Sequence, residues 1–545
     1  MRTHSRRAVL GAGLAAAGSG LLSSRSPASA DPNDRYGGHP SHGSPGSHGP
    51  RHDDVPAGYV TPDGPEVVDC ERNRRGGSVR RFSLTAAETE LDLGGLTVNT
   101  WAYGDRLPGK EIRVTAGDQI ALTLHNRLPQ DTTVHWHGLQ LRNDMDGVPD
   151  VTQRAVKPGN YFDYRFTAST PGTHWIHPHV GVQLDRALYA PLIVDDPDEP
   201  LSYDKEWIVL IDDWLDGVDG VTPDDVLDEL NKDKPGGAMG HGSMQLGRKR
   251  RTGHGSAAAA ALLHRHTTKK RADDSDDDRY EINVEHPFHL INGRTSRDRE
   301  TFRAKPGDRI RIRIINAAAD TAYRVALGGH KMIVTHTDGF PVEHRETDSL
   351  LIGMAERFDV LVTAKDGVFP LTALSAGKPN LTAQALLRTG GGEAPDPKTR
   401  PKELRSGGLS ADKLKADESV LLEDRSPDRE IKMELTGTMD KWDWAINGKP
   451  YTPSQRYPVR EGERVRMTFE NTTTMWHPMH LHGHTFGMPD GGPRKDTTIV
   501  LPGKKLSVDF DAVNPGLWML HCHNIYHSES GMMTVVGYRS PKSSK

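Results

Sequence analysis

Cysteine is nearly absent. Cys70 and Cys522 are the only two in 545 residues, so a disulfide-built scaffold is excluded. Aromatic residues are scarce at 6%, and hydrophobic residues make up 35%. No segment has the run of about 20 apolar residues that a membrane helix needs, so stable membrane insertion is not expected. Net charge is -5. Without a basic excess, nothing points to a nucleic-acid partner. The chain is too long for one ordinary core and is expected to hold two to four domains. What it has in quantity is 56 glycines, 37 prolines and 27 histidines. Glycine and proline suit a turn-rich all-β protein, and clustered histidine suggests metal ligation.

The N-terminus reads Ser5-Arg6-Arg7-Ala8-Val9-Leu10, then an apolar run to Leu22, then Ala28-Ser29-Ala30. This is the pattern of a twin-arginine signal peptide with cleavage after Ala30. It predicts export to a periplasm, to the wall or to the medium. Residues 31–70, with His39, His42, His48 and His52, read as a His/Gly/Pro-rich disordered linker.

The body repeats itself three times. Gly117-Asp118, Gly307-Asp308 and Gly462-Glu463 each open a strict apolar alternation: Ile120/Leu122/Leu124, Ile310/Ile312/Ile314 and Val465/Met467/Phe469. A second landmark follows in each copy: Phe162 to Phe166, Phe358 to Val362 and Leu506 to Phe510. A turn feeding a half-buried strand, three times over, predicts three copies of one β-sandwich domain. The copies span 71–197, 198–400 and 425–540. The second carries a low-complexity insertion at 235–279, expected to be mobile, and 401–424 read as a linker.

Four His-x-His pairs occur: His135/His137, His177/His179, His480/His482 and His521/His523. Residues two apart on a strand point to one face, so each pair can aim two imidazoles at one locus. Two pairs fall in the first copy and two at corresponding places in the third. The second copy has none at those places, reading Ala317-Ala318-Ala319 and Pro370-Leu371 instead. A metal cluster is therefore expected between copies one and three, with the middle copy as a spacer. Around Cys522 a second site is legible. Cys522, His527 and Met532, with His477 upstream, have the composition of a His2Cys copper site with a weak axial methionine. Zinc accepts Cys and His too, but has no use for the neighbouring histidine pairs.

These motifs, His-Trp-His-Gly, His-x-His, His-Pro-x-His-Leu-His-Gly-His and His-Cys-His-x3-His-x4-Met, resemble those of the multicopper oxidases across nearly the whole chain after the leader. The resemblance implies three cupredoxin-like Greek-key β-sandwich domains and four coppers. His477, Cys522 and His527 would hold the type 1 copper with Met532 axial, and His135 and His480 the type 2 copper. His137, His177 and His523 would hold one type 3 copper; His179, His482 and His521 would hold the other. Electrons would enter beside His527, taken to be nearest the substrate pocket. They would pass from Cys522 to its neighbours His521 and His523, and four would reduce one dioxygen to two waters. Asp146 falls where the family places a proton-supplying carboxylate; the plainer alternative is an Asp-Gly turn residue. Where some relatives carry a further acid after the last type 1 histidine, this chain has Ser528, then Glu529. His174 and His484 flank the motifs without matching a ligand. Cys70 is expected to be a buried structural thiol.

The expected activity is one-electron oxidation of phenols and aromatic amines, or of cuprous ion, by a monomer with dioxygen as acceptor. Met239 and Met244, flanking His241, supply soft thioethers that favour the cuprous donor. The alternative is a copper-binding or structural cupredoxin-repeat protein without turnover.

Overall fold

The computed structural model describes residues 55–74, 76–232, 256–263, 284–376 and 381–541. The expected signal peptide, most of the expected 31–70 linker and most of the 235–279 insertion, including Met239 to Met244, lie outside the described residues.

The two recurring landmarks prove to be neighbouring strands in every copy. Strand Gln119–Asn126 pairs antiparallel with Tyr161–Thr167, Arg309–Asn316 with Arg357–Thr363, and Arg464–Asn471 with Lys505–Asp511. Register places one apolar set opposite the other: Ile120 faces Phe166, Ile310 faces Val362 and Val465 faces Phe510. The Gly117, Gly307 and Gly462 turns have φ of +92°, +90° and +83°. That left-handed conformation is cheap only for glycine, which explains its recurrence. The strand opening each copy runs parallel to the Gly-acid strand: Val79–Asp92, Lys205–Trp214 and Arg429–Thr436.

Each copy is a sandwich of two sheets, with four and four strands in the first and six and five in each of the others. The inward rows are buried, at 0% or 1% exposure from Ile120 to Leu124 and at 0% from Val465 to Phe469. Burying each such side chain contributes about 1.5–3 kcal/mol. One continuous apolar cluster contains the inward rows of both the first and third copies, while the middle copy builds a core of its own.

Three expectations are corrected. The fold begins well before residue 71, because Val60 and Val67 are buried and the Val60 N–H donates to the Tyr538 carbonyl at 2.9 Å. Helix Pro65–Arg74 docks through Glu71, whose carboxylate accepts from Thr167 N and Oγ1, both at 2.8 Å. Two valines in a polar stretch gave too weak a periodic signal to separate this from a tether. Cys70 on that helix is half-exposed rather than buried, and both cysteines are free. Residues 401–424 are not a loose linker. They form short 3-10 turns whose Leu404, Leu409, Ala411 and Leu414 are buried, bridging to Leu350 and Val342 of the middle copy. Among the described residues no helix is long and apolar enough to cross a membrane.

Candidate metal centres

The first and third copies present their histidines from paired strands. His135–His137 pairs with Gly172–His177, placing His135 opposite His177. His477–Leu481 pairs with Leu517–Cys522, placing His480 opposite His521. Only His135/His137 lies wholly within a strand. His179, His482 and His523 each fall just past a strand end. The same-face rule therefore accounts for one pair; the other pairs straddle a strand end and still converge.

The side chains gather as the motif order suggests. The donor atoms of His137, His177 and His523 lie within 4.8 Å of one another, as do those of His179, His482 and His521, and those of His477, Cys522 and His527. His135 and His480 meet in a further set with His137.

Two buried carboxylates fix the rings of the cluster. Asp146, at 0% exposure, accepts from His482 Nδ1 at 2.9 Å. Its carbonyl accepts from His135 Nδ1 at 2.9 Å, with the carboxylate 3.2 Å away. The His135 and His482 rings stack at 3.8 Å. Asp146 follows a 3-10 turn, Asn143–Met145, but its side chain faces two histidines. A second acid, Asp496, was not singled out from the sequence. It accepts from His137 Nε2 at 3.1 Å, and its carbonyl accepts from His480 Nδ1 at 3.0 Å. The His137 and His480 rings also stack at 3.8 Å. The spacing of Asp496 from His480 has no motif, which is why it escaped notice; its place in the third repeat, after the paired strand as Asp146 is in the first, is the signal available.

The remaining ring nitrogens test whether these residues fit a metal. His135 Nε2, His137 Nδ1, His177 Nε2, His179 Nε2 and His480 Nε2 are buried and accept no hydrogen bond. Each orphaned polar atom costs about 1–3 kcal/mol. That many together, all converging, fit metal ligation and little else. Burial, reinforced by repulsion among the rings, holds His177, His179, His482 and His523 far below the ordinary imidazole pKa. They are kept neutral, the form that binds a metal.

The Cys522 site is fully buried, with His477, Cys522 and His527 at 0% exposure. His477 Nδ1 lies 3.6 Å and His527 Nδ1 3.7 Å from Cys522 Sγ. Asn524 caps helix Ile525–Ser530, its side chain accepting from the N–H groups of Tyr526 and His527, which fixes His527 beside the thiol. The Cys522 N–H donates to the Met532 carbonyl at 3.0 Å, and Met532 is buried. Burial pushes the Cys522 thiol up, so its thiolate needs a cation's company. Electrons are expected to enter beside His527. Its ring is 0% exposed and is covered by Trp444, 4.3 Å away between centroids, and Trp442, at 6.0 Å. No motif marks these tryptophans; Trp442-Asp443-Trp444 lies 83 residues or more upstream of His527.

Two flanking histidines stand apart from the sets. His484 Nε2 is 2.6 Å from the Tyr538 hydroxyl, and its Nδ1 donates to the His482 carbonyl. His174 donates to the Thr170 carbonyl at 3.2 Å. Ser528 lies 3.4 Å from His521 Nδ1 and supplies no carboxylate there.

Three cupredoxin-like sandwiches, with the first and last converging ten histidines and one thiol on neighbouring loci, define a copper oxidase. Multicopper oxidase family models match residues 85–199, 263–392 and 424–542. Multicopper oxidase MmcO of Mycobacterium tuberculosis is 46% identical over 478 residues, covering 87% of this chain and 90% of that protein. A copper resistance protein A homolog of Pseudomonas syringae pv. tomato is 27% identical over 551 residues, with coverage of 84% and 92%. The laccase of Botrytis aclada superposes with a TM-score of 0.68 at 21% identity, over 87% of this chain and 91% of that one. The chain belongs to the multicopper oxidase family: it is a copper-dependent oxidoreductase that uses dioxygen as acceptor.

Proposed function

We propose that the chain holds four coppers: His477, Cys522 and His527, with Met532 as a further ligand, would hold the type 1 copper, His135 and His480 the type 2 copper, and the two remaining histidine triads the type 3 pair. The single observation that carries this reading is the partition of the donors. Cys522 belongs to one set, while its covalent neighbours His521 and His523 belong to two others. Copper bound there supplies one-electron redox chemistry, collecting electrons singly and delivering four to dioxygen to give two waters.

The chain's own residues do the rest. Cys522 offers a thiolate, and the backbone on either side of it is the shortest covalent path from the thiol to the cluster. Asp146 orients His135 and His482 and is placed to pass protons to dioxygen as it is reduced. The same cluster face is closed to bulk water, since its rings are at most 1–2% exposed apart from the half-buried His179. Trp442 and Trp444 pack on the buried His527 ring, and a donor at the surface would pass its electrons through this aromatic wall.

The donors proposed are both phenols or aromatic amines and cuprous ion. A copper resistance protein and a laccase among the relatives support both classes. The twin-arginine pattern supports an exported, folded, copper-loaded monomer, since the chain itself brings both faces of the cluster together. The test is copper content and the visible and electron paramagnetic resonance spectra of the loaded protein, with oxygen uptake followed on a phenol and on Cu(I). A blue band near ~600 nm, a type 2 signal and oxygen uptake are expected. A blue band without oxygen uptake returns the protein to copper binding or electron transfer. No blue band at full loading refutes the assignment at Cys522.

A further inference from the structure

The two carboxylates of the cluster are related by the repeat but held differently. Among the described residues no lysine or arginine pairs with Asp146. Its Oδ1 accepts no hydrogen bond, with His135 Nδ1 3.2 Å away, and its Oδ2 accepts from His482. Asp496 is clamped. Arg357 Nη1 donates to Asp496 Oδ1 at 2.7 Å and Nη2 to Oδ2 at 2.6 Å. Both side chains are 0% exposed. This is a bidentate fork, the strongest and most directional arrangement available to a carboxylate.

Arg357 comes from the middle copy, which lacks the histidine pairs. Its Nε donates to the Thr173 carbonyl of the first copy at 3.0 Å, and Nη1 also reaches the Ala355 carbonyl of its own copy at 3.2 Å. With Asp496 in the third copy, one guanidinium joins all three domains. The packing leaves no slack. A Cβ on Gly138, the glycine of His-Trp-His-Gly, would collide with Arg357 Nη2 and lie 2.9 Å from Asp496 Oδ2. Gly138 also has φ of +89°. The glycine of that motif is thus explained by the arginine behind it.

The clamp has a consequence at the rings. Asp496 Oδ1 and Thr497 Oγ1 both engage His137 Nε2, at 3.1 and 3.2 Å. The ring must therefore present Nδ1 to the cluster, whereas His135, His177 and His480 present Nε2. Asp496 also accepts from His480 Nδ1 through its backbone carbonyl at 3.0 Å, with its carboxylate Oδ1 3.4 Å from the same nitrogen. A carboxylate free to rotate would permit either nitrogen of His137 and a tilted His480. Held by two parallel bonds, it permits one arrangement.

We propose that Arg357 is a positioning residue: by locking Asp496 it fixes which nitrogen His137 presents and the plane of His480, and so determines retention of the copper shared by His135 and His480. The inference rests on the copper assignment given above. That copper is the one most exposed to the change, because two rings hold it where three hold each of its neighbours. Loss of an orienting partner of this kind typically costs about 10–100-fold in metal affinity.

The experiment uses the full copper-loaded chain with Arg357→Lys and, separately, Asp496→Asn. Each is dialysed against a mild chelator, then assayed for copper per chain, the blue band and the type 2 paramagnetic signal. Both variants are expected to lose close to one copper and most of the type 2 signal while the blue band persists. Lysine is expected not to rescue, because it keeps the charge and loses the fork. Wild-type copper content with an unchanged type 2 signal in both variants would overturn the proposal. The blue band certifies the fold in the same samples, and Asp496→Asn, which preserves side-chain volume, decides the matter alone if Arg357→Lys does not fold. A wild-type protein lacking both signals would refute the copper assignment instead, which separates the two failures.

Discussion

Around Cys522 the groups packed on the ligand rings are aromatic, and the acid that acts on the thiol, Asp320, reaches it through space; a few residues away, around the eight remaining histidines, carboxylates touch the rings themselves. His477 is pushed down to about 3 by burial, with no carboxylate opposing it, and its Nε2 meets only the Thr473 hydroxyl at 2.8 Å. Trp442 and Trp444 cover His527. At the cluster, burial still lowers His137 and His480, but Asp496 works against it in both. The difference follows from what each locus must move. A site that only passes electrons is best left without titrating neighbours, whose protonation would follow each change of charge. A site that turns dioxygen into water must also be fed protons, and a buried region accepts protons only through groups placed there for it. One acid is clamped by an arginine and orients its rings; the other orients its rings and is left able to carry a proton.

The sharpest way to break the comparison is Cys522→Ser. Removing the thiol takes away the soft ligand and the covalent link to both triads while leaving every cluster ring in place. The blue band is expected to vanish and donor oxidation to fall by at least about 10^3-fold, as when a residue of a concerted unit is removed. Copper content should drop by about one per chain. Oxidation at the wild-type rate would refute the electron route.

Asp146→Asn attacks the other locus. The amide keeps the shape but cannot carry a proton, so oxygen uptake is expected to slow by about 10^2-fold. Stopped-flow kinetics divides the effect. Anaerobic bleaching of the blue band by a donor should keep its wild-type rate, and its return on mixing with oxygen should carry the whole loss. Slowed bleaching with normal return would place Asp146 on the wrong side of the comparison.

The comparison also shows what the sequence could carry. The three sandwiches were legible because their landmarks are local: a Gly-acid turn and a period-two alternation within a dozen residues, which later pair as neighbouring strands. The copper donors were legible because motif spacing encodes them. Asp496, Arg357, Trp442 and Trp444 were not, because each acts on a ring from 15 or more residues away along the chain, across a domain boundary or a sandwich. The middle copy read as a spacer because it lacks histidine pairs. Its Arg357 sits openly in a landmark, Met354-Ala355-Glu356-Arg357-Phe358, where a buried charge on an apolar strand was the overlooked sign. Residues 55–70 and 401–424 failed for the opposite reason, as a few apolar side chains diluted in polar sequence.

Acid should distinguish the copper-free protein from an ordinary one. Burial holds His174 at about 3 and His484 at about 4, and His477 at about 3. In the unfolded chain each returns to about 6.5. The unfolded state therefore binds more protons between these values, and stability, complete above pH ~6.5, is lost as pH falls toward 3. His174 alone accounts for about 5 kcal/mol across that window. Denaturant midpoints of the metal-free protein from pH 7 to 4 should fall steeply, and His174→Gln should flatten the slope. A midpoint independent of pH would show that these rings are not held neutral.

The smallest effect expected on activity comes from thinning the aromatic cover. Trp442 has φ of +52°, a left-handed backbone that a bulky residue adopts only when its surroundings impose it. Trp442→Ala removes a buried ring and should cost about 3 kcal/mol in stability. If the donor approaches over this ring, its reacting edge comes closer to His527, so kcat/KM for a phenol should rise. Reoxidation of the blue band by oxygen should not change, since nothing at the cluster has been touched. If instead phenol oxidation is unaltered and reoxidation slows, the tryptophans belong to the packing of the third copy, and the donor path lies elsewhere around His477 and Met532.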